Sequence, residues 1–172
     1  MLTNNFIGNI KSTLAKLSGQ RIQKIGRAAN MLWIGFGDEI TYVNFKGKPV
    51  VKSKYLLHIQ CNWEVVSGYE IILQQNDFNI PKDEASHQLF DTEQFGNSKF
   101  DKISAEFNAD IKADSTYVVN FCIHATGGLE LKLSNNLIIK IYPNSPSEGE
   151  SWRFLMPNSD EEHIVVFEEL AE

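Results

Sequence analysis

The sequence predicts an α+β domain of mostly antiparallel strands, sandwich- or barrel-like, with an N-terminal helix and one short helix near 101–110. Three observations predict it. Short runs of period-two alternation recur between residues 31 and 167, bounded by Gly, Asn, Asp, Ser or Pro. Apolar residues fall at helical spacing in only two places. The chain has 172 residues, 42% hydrophobic and 22% charged, which suits one sizeable core and a single domain over 1–172.

The elements follow in order. Phe6, Ile7, Ile10, Leu14 and Leu17 form a helical stripe, and Gly19 sits where a glycine closes a helix. Met31 to Phe36 and Ile40 to Phe45 flank Gly37-Asp38-Glu39, which predicts a short-loop hairpin. Both faces of these strands carry apolar residues, so both are expected to be covered. Lys46-Gly47-Lys48-Pro49 makes the next turn. Leu57, Ile59, Cys61, Trp63 and Val65 then alternate with His58, Gln60, Asn62 and Glu64. This reads as one half-buried strand whose polar row is a solvated face or the floor of a site. Glu70 to Leu73 is a further strand after a turn at Ser67-Gly68.

From 74 to 99 periodicity fails, which predicts a long irregular loop. Loops of that length in compact domains tend to be functional, and Phe78, Phe90 and Phe95 give this one aromatic groups to present. Phe100, Ile103, Phe107 and Ile111 mark the short helix, with Asp101 as candidate N-cap. Tyr117 to His124 is an apolar strand. Leu129, Leu131 and Leu133 face Leu137, Ile139 and Ile141 if the loop has three residues with Asn136 left-handed. Glu130 then meets Lys140 across the strands. Residues 151–155 and 163–167 are the last two strands, separated from the hairpin by a polar loop over 143–149, and an acidic tail follows.

Charge narrows the function. Sixteen Lys and Arg against 22 Asp and Glu give −6 and a pI near 5.2, which disfavours nucleic acid as a partner. Lys11, Lys16, Arg21, Lys24 and Arg27 are spread out and read as solvated. Cys61 and Cys122 lie in apolar segments and read as buried free thiols, with no disulfide framework. The N-terminus lacks the shape of a signal peptide. No apolar run approaches the roughly 20 residues a membrane helix needs, so no membrane partner and a cytoplasmic location are expected.

No catalytic signature stands out. A Gly-x-Ser-x-Gly elbow and a phosphate-binding glycine loop are both missing, and Gly127-Gly128 reads as a turn. On a strand His58 and Cys61 point to opposite faces, and His87, His124 and His163 add no metal-ligand spacing. Neither metal nor cofactor is expected, and the carboxylate pairs Asp83/Glu84 and Glu161/Glu162 read as solvated. Alternation turns Arg153 away from Trp152 and Phe154, toward Glu64, Asp77 or Asp101. That makes a structural ion pair or a polar pocket. The candidate polar or binding cluster is His58, Gln60, Glu64, Asp77, Asp101 and Arg153.

Taken in order, several motifs resemble an uncharacterised family of small bacterial proteins. They are Tyr55 to Trp63, Asn76-Asp77-Phe78 with Pro81, Phe90-Asp91 with Phe100-Asp101, Gly127-Gly128-Leu129, Ser151-Trp152-Arg153-Phe154 and His163 to Val166. The match covers most of the chain after residue 30. Where that family carries Arg after the first tryptophan, this chain has Glu64. The resemblance implies no assigned activity. Proteins of this style often sit in contact-dependent toxin loci as immunity proteins, an association of neighbourhood rather than mechanism.

The sequence therefore favours a non-enzymatic protein-binding module, of which immunity is one form. The alternative is a small-ligand binder or enzyme with a polar pocket around His58, Gln60, Asp77, Asp101 and Arg153. A third expectation is a homodimer through Trp33, Tyr42 or Ile138. Convergence of the polar cluster into one concave site separates the second from the first.

Overall fold

The structure is a computed structural model, and it describes residues 2–44, 46–83, 90–92, 94–143, 149–157, 159 and 163–167. In chain order the elements are α1 (Asn4–Leu14), β1 (Ile22–Ala28), β2 (Met31–Val43), β3 (Pro49–Ile59), β4 (Asn62–Ser67), β5 (Glu70–Gln74), α2 (Lys99–Ala113), β6 (Val118–Ile123), β7 (Leu129–Leu133), β8 (Leu137–Tyr142), β9 (Glu150–Leu155) and β10 (Ile164–Phe167). The predicted α+β class holds. The strands form two antiparallel five-stranded sheets, β1-β2-β3-β9-β10 and β5-β4-β8-β7-β6. Inward side chains of both sheets and both helices share one core, including Ile34, Leu57, Trp63, Ile139, Trp152, Leu14 and Phe107.

The sheets are joined along one seam. Before β1 begins, residues 19–22 pair with 116–118: Gly19 N–H donates to Val118 C=O at 2.8 Å and Val118 N–H to Gln20 C=O at 2.9 Å. Helix α1 is capped by the Thr3 hydroxyl, which accepts the Phe6 N–H at 3.3 Å. A 3-10 turn over Ala15–Leu17 continues it, and Gly19 follows at φ +74°. This matches the sequence expectation.

Three strand readings need correction. The predicted hairpin at Gly37-Asp38-Glu39 is instead one continuous strand, β2. Gly37 takes φ +73° and the register against β3 shifts between Phe36 and Glu39, so the chain bulges and bends without reversing. Its partners are β1, through a turn at Ala29-Asn30, and β3, through the turn at Gly47. Past the bulge, Glu39 to Val43 pairs with Pro49 to Ser53 as a ribbon with one exposed side, Val43 at 68% and Val51 at 56% exposure. Coverage of both faces therefore fails for this half.

Leu57 to Val65, read as one strand, is two. β3 ends at Ile59 and β4 begins at Asn62, so the chain changes sheets at Gln60-Cys61. The Gln60 and Cys61 N–H groups both donate to the Ser151 C=O, at 2.8 and 3.2 Å.

The segment 74–99 is not irregular throughout. Gln75–Asn79 is a 3-10 turn, and the flanks of the remainder are zipped by Lys82 N–H to Asn97 C=O at 2.8 Å and Lys99 N–H to Ile80 C=O at 2.7 Å. Phe78 is not presented to solvent. It is 3% exposed and packs edge-on against Phe100 at 4.6 Å between ring centroids. Leu89, His87 and Glu84 lie outside the described residues, as do 144–148, Glu161, Glu162 and the acidic tail. The cap of α2 is Ser98, three residues before Asp101. The Ser98 hydroxyl accepts the Asp101 N–H at 3.1 Å and Asp101 reciprocates to Ser98 N–H at 3.2 Å.

Helix α2 lies along the edge of β1. Near its N-terminus Asp101 receives Arg27. At its middle the Asn108 amide accepts the Ile25 N–H at 2.8 Å and donates to the Ile25 C=O at 2.9 Å. At its C-terminus Arg21 donates to the Lys112 C=O at 2.8 Å. The Asn108 side chain thereby occupies backbone groups that an open edge would leave for another chain. The C-terminal hairpin matches its predicted register: Leu131 opposes Ile139, Glu130 opposes Lys140, and Asn136 has φ +66°.

Candidate functional site on the outer face of the first sheet

The split at Gln60-Cys61 decides where the polar row goes. Side chains alternate in and out along β3 and β4, but the two strands belong to different sheets. His58 therefore stands on the outer face of the first sheet and Glu64 on the outer face of the second, with exposed Gln60 between them.

On the first sheet, cross-strand pairing builds one rung over all five strands: Gly26, Trp33, His58, Arg153 and Val165. The Trp33 indole lies across Gly26, where a Cβ would overlap its six-membered ring. Glycine there is what lets the ring lie flat on the sheet. Arg153 is satisfied within its own strand. Its Nε donates to Glu150 Oε1 at 3.1 Å and Oε2 at 3.2 Å, and Nη2 also pairs with Oε2. The expected Arg153 partners, Glu64, Asp77 and Asp101, lie elsewhere.

This outer face is hollowed beside the β2 bulge. A groove of about 420 Å³ is lined by Trp33, Leu56, Val51, His58, Lys24 and Lys52, with Gln23, Glu39 and Ser53 adding polar groups. Leu56 faces outward yet is only 7% exposed, so the groove is deep enough to cover an aliphatic side chain. Its charge is positive in an acidic protein, with Lys24 and Lys52 against Glu39. Burial pushes the His58 pKa below its ordinary 6.5, and the Lys52 and Arg153 charges push it the same way, with His163 adding to them and Glu150 opposing. Neutral His58 offers the groove one N–H donor and one ring acceptor.

Because folding lowers the His58 pKa, the unfolded chain binds this proton more readily. Stability from His58 is then full above about 6.5 and lost as pH falls toward the lowered folded value. Urea midpoints of His58→Gln should fall less than wild type between pH 7 and 5.5. Parallel pH profiles would contradict the assignment.

The remaining candidates do not join the groove. Asp77 is buried at 1% exposure, accepts the Gln74 N–H at 2.9 Å, and has Lys99 Nζ 2.9 Å from Oδ1, a charge contact rather than an aligned hydrogen bond. Asp101 sits in a separate knot with Arg27, whose Nε and Nη2 reach its two carboxylate oxygens at 2.9 Å each. Burial alone would raise the Asp101 pKa, but hydrogen bonds from Arg27 and Ser98 and the Arg27 charge hold it down at about 2. Glu64 accepts the Tyr142 hydroxyl at 2.6 Å and has Lys140 at 3.5 Å.

Arg27, read as solvated, is 5% exposed and also donates to the Thr92 C=O at 2.6 Å and the Gln94 C=O at 3.1 Å. Cys61 is buried as expected, whereas Cys122 is exposed because it stands on the solvent side of β6, opposite Glu130 on β7. Among the described residues no group of three His, Cys, Asp or Glu side chains is placed to hold a metal ion, and no helix is long and apolar enough to cross a membrane.

No family model, curated protein or solved structure matches the chain.

Proposed function

We propose that this chain is a non-enzymatic protein-binding module that holds an acidic segment of a partner in the groove of Trp33, Lys52 and His58. The observation that carries this reading is a positively charged concave face with a tryptophan floor on a protein of net charge −6. A half-exposed tryptophan in a partly desolvated hollow is the kind of anchor that dominates interface energies. Lys24 and Lys52 supply charge complementarity, and Val43 and Val51 on the ribbon supply adjoining apolar contact. Immunity-type inhibition of a partner is one form such binding takes.

The alternative pocket of His58, Asp77, Asp101 and Arg153 loses support, because both aspartates are committed to structural bonds away from the groove.

Trp33 is half-buried while Trp63 and Trp152 are buried, so the quencher-accessible part of tryptophan emission reports chiefly on the groove. Titration with a glutamate-rich peptide should give a saturable emission change that a lysine-rich peptide does not. The response should weaken at least about tenfold in Lys24→Glu/Lys52→Glu and fall with added salt. No saturable change, or an unchanged response in the double variant, would contradict the proposal.

A further inference from the structure

We infer a second binding site, for a neutral saccharide, on the outer face of the other sheet. A cleft of about 530 Å³ opens where β4, β5 and β8 meet the 3-10 turn. That size falls within the roughly 300–1,000 Å³ of small-molecule sites. Primary amides dominate its lining: Gln74, held in the capping box of the turn, and four more, Asn62, Gln75, Asn76 and Asn79, beside Glu64 and Tyr142. None of those four amides is engaged by another described side chain. Each offers two donors and an acceptor in one plane.

Their placement is fixed by backbone structure. Asn76 and Asn79 are three apart in a 3-10 turn, so they stand on one side of it. Asn62 and Glu64 are two apart on β4 and share a face, and Asn62 lies directly opposite Tyr142 on β8. The turn is held from beneath: Asp77 bonds the Gln74 N–H, the Gln74 side chain accepts the Asp77 N–H, and Lys99 contacts the buried carboxylate. Glu64 orients Tyr142 through the 2.6 Å hydroxyl bond, while the residue remains 43% exposed. Burial, that bond and the Glu64 charge push the Tyr142 pKa up to about 12, so the phenol stays protonated.

The chemistry of this set selects its ligand. Glu64 is balanced by Lys140 at 3.5 Å, and among the described residues no uncompensated cation lines the cleft. A phosphate or carboxylate ligand finds no charge partner there. Planar amides and a carboxylate pair with neighbouring hydroxyl groups, each of which donates and accepts. An exposed tyrosine ring covers the apolar C–H face of a pyranose. This site is independent of the acidic-segment groove, which lies on the opposite sheet.

The test is an array of neutral oligosaccharides probed with the full chain, followed by saturation-transfer titration of the best binder. We expect at least one neutral glycan to bind saturably. Asn76→Ala/Asn79→Ala should weaken it by about tenfold or more, from the loss of two hydrogen-bonding groups. Both residues are exposed, so these variants should keep the wild-type melting temperature and the Trp33 response to acidic peptide. Tyr142→Phe should retain more affinity than Tyr142→Ala. Absence of any neutral-glycan binding, preference for sugar phosphates, or full affinity in the asparagine variant would each overturn the inference.

Discussion

Asp101→Ala is expected to destabilise the chain by about 3–5 kcal/mol, because it strands the buried Arg27 guanidinium without its anion. The Arg27 side chain is 2% exposed and Asp101 11%. Arg27 also reaches Thr92 and Gln94 and lies 5.0 Å from the Phe95 ring centroid. The variant therefore loses the α2 capping box and loosens the anchor of Thr92, Gln94 and Gly96 together. Replacing both partners, Arg27→Met/Asp101→Leu, should recover much of the loss, since an apolar pair leaves no buried charge. Urea unfolding of the single and double variants measures this. A loss under about 1 kcal/mol for Asp101→Ala would contradict the account.

The same pair sets an acid limit. The folded Asp101 pKa of about 2 lies below the ordinary 3.8, so its contribution is full above about 4 and drains away as pH falls toward 2. The shift corresponds to roughly 2 kcal/mol.

Trp152→Ala should be comparably severe, at about 3–5 kcal/mol, from the cavity left by a fully buried indole. Trp152 is central to the first sheet's inner face, opposite Ile59 and Val166. Its Nε1–H donates to the Gly127 C=O at 2.8 Å, which tethers the turn before β7 to β9. Gly127 holds φ +86°, and a Cβ there would crowd Val166, so the turn admits no side chain. Trp152→Phe keeps most of the packing but leaves that carbonyl unpaired, for about 1–3 kcal/mol. Thermal and urea unfolding should rank wild type, Phe and Ala in that order. Equal losses for Phe and Ala would show that the hydrogen bond, not the packing, dominates.

The C-terminal hairpin was legible because pattern and loop agree. Only a three-residue loop sets Leu131 against Ile139 and Glu130 against Lys140, and Asn136 tolerates the left-handed backbone this needs. The change of sheets at Gln60-Cys61 was hidden because burial keeps its period of two straight through the crossover. A periodicity records in and out, not which sheet a residue belongs to. That is why His58 and Glu64 looked like neighbours and stand on opposite faces of the domain.

Arg27 did carry a signal: it shares a strand face with Ile25, so its stem had to enter the core side. Its anion, Asp101, is 74 residues away, and nothing local points to it. The groove was illegible for the same reason. Lys24, Trp33 and Lys52 come from three strands, and no local pattern shows that they line one hollow.

The most direct test of the proposed binding role is a residue-resolved amide and indole NMR shift map of the full chain with the glutamate-rich peptide. Perturbations are expected at Lys24, the Trp33 indole, Lys52, Ser53 and His58, with Asn62, Asn76 and Tyr142 unmoved. Perturbations gathered on the second sheet, or none at saturating peptide, would contradict that role.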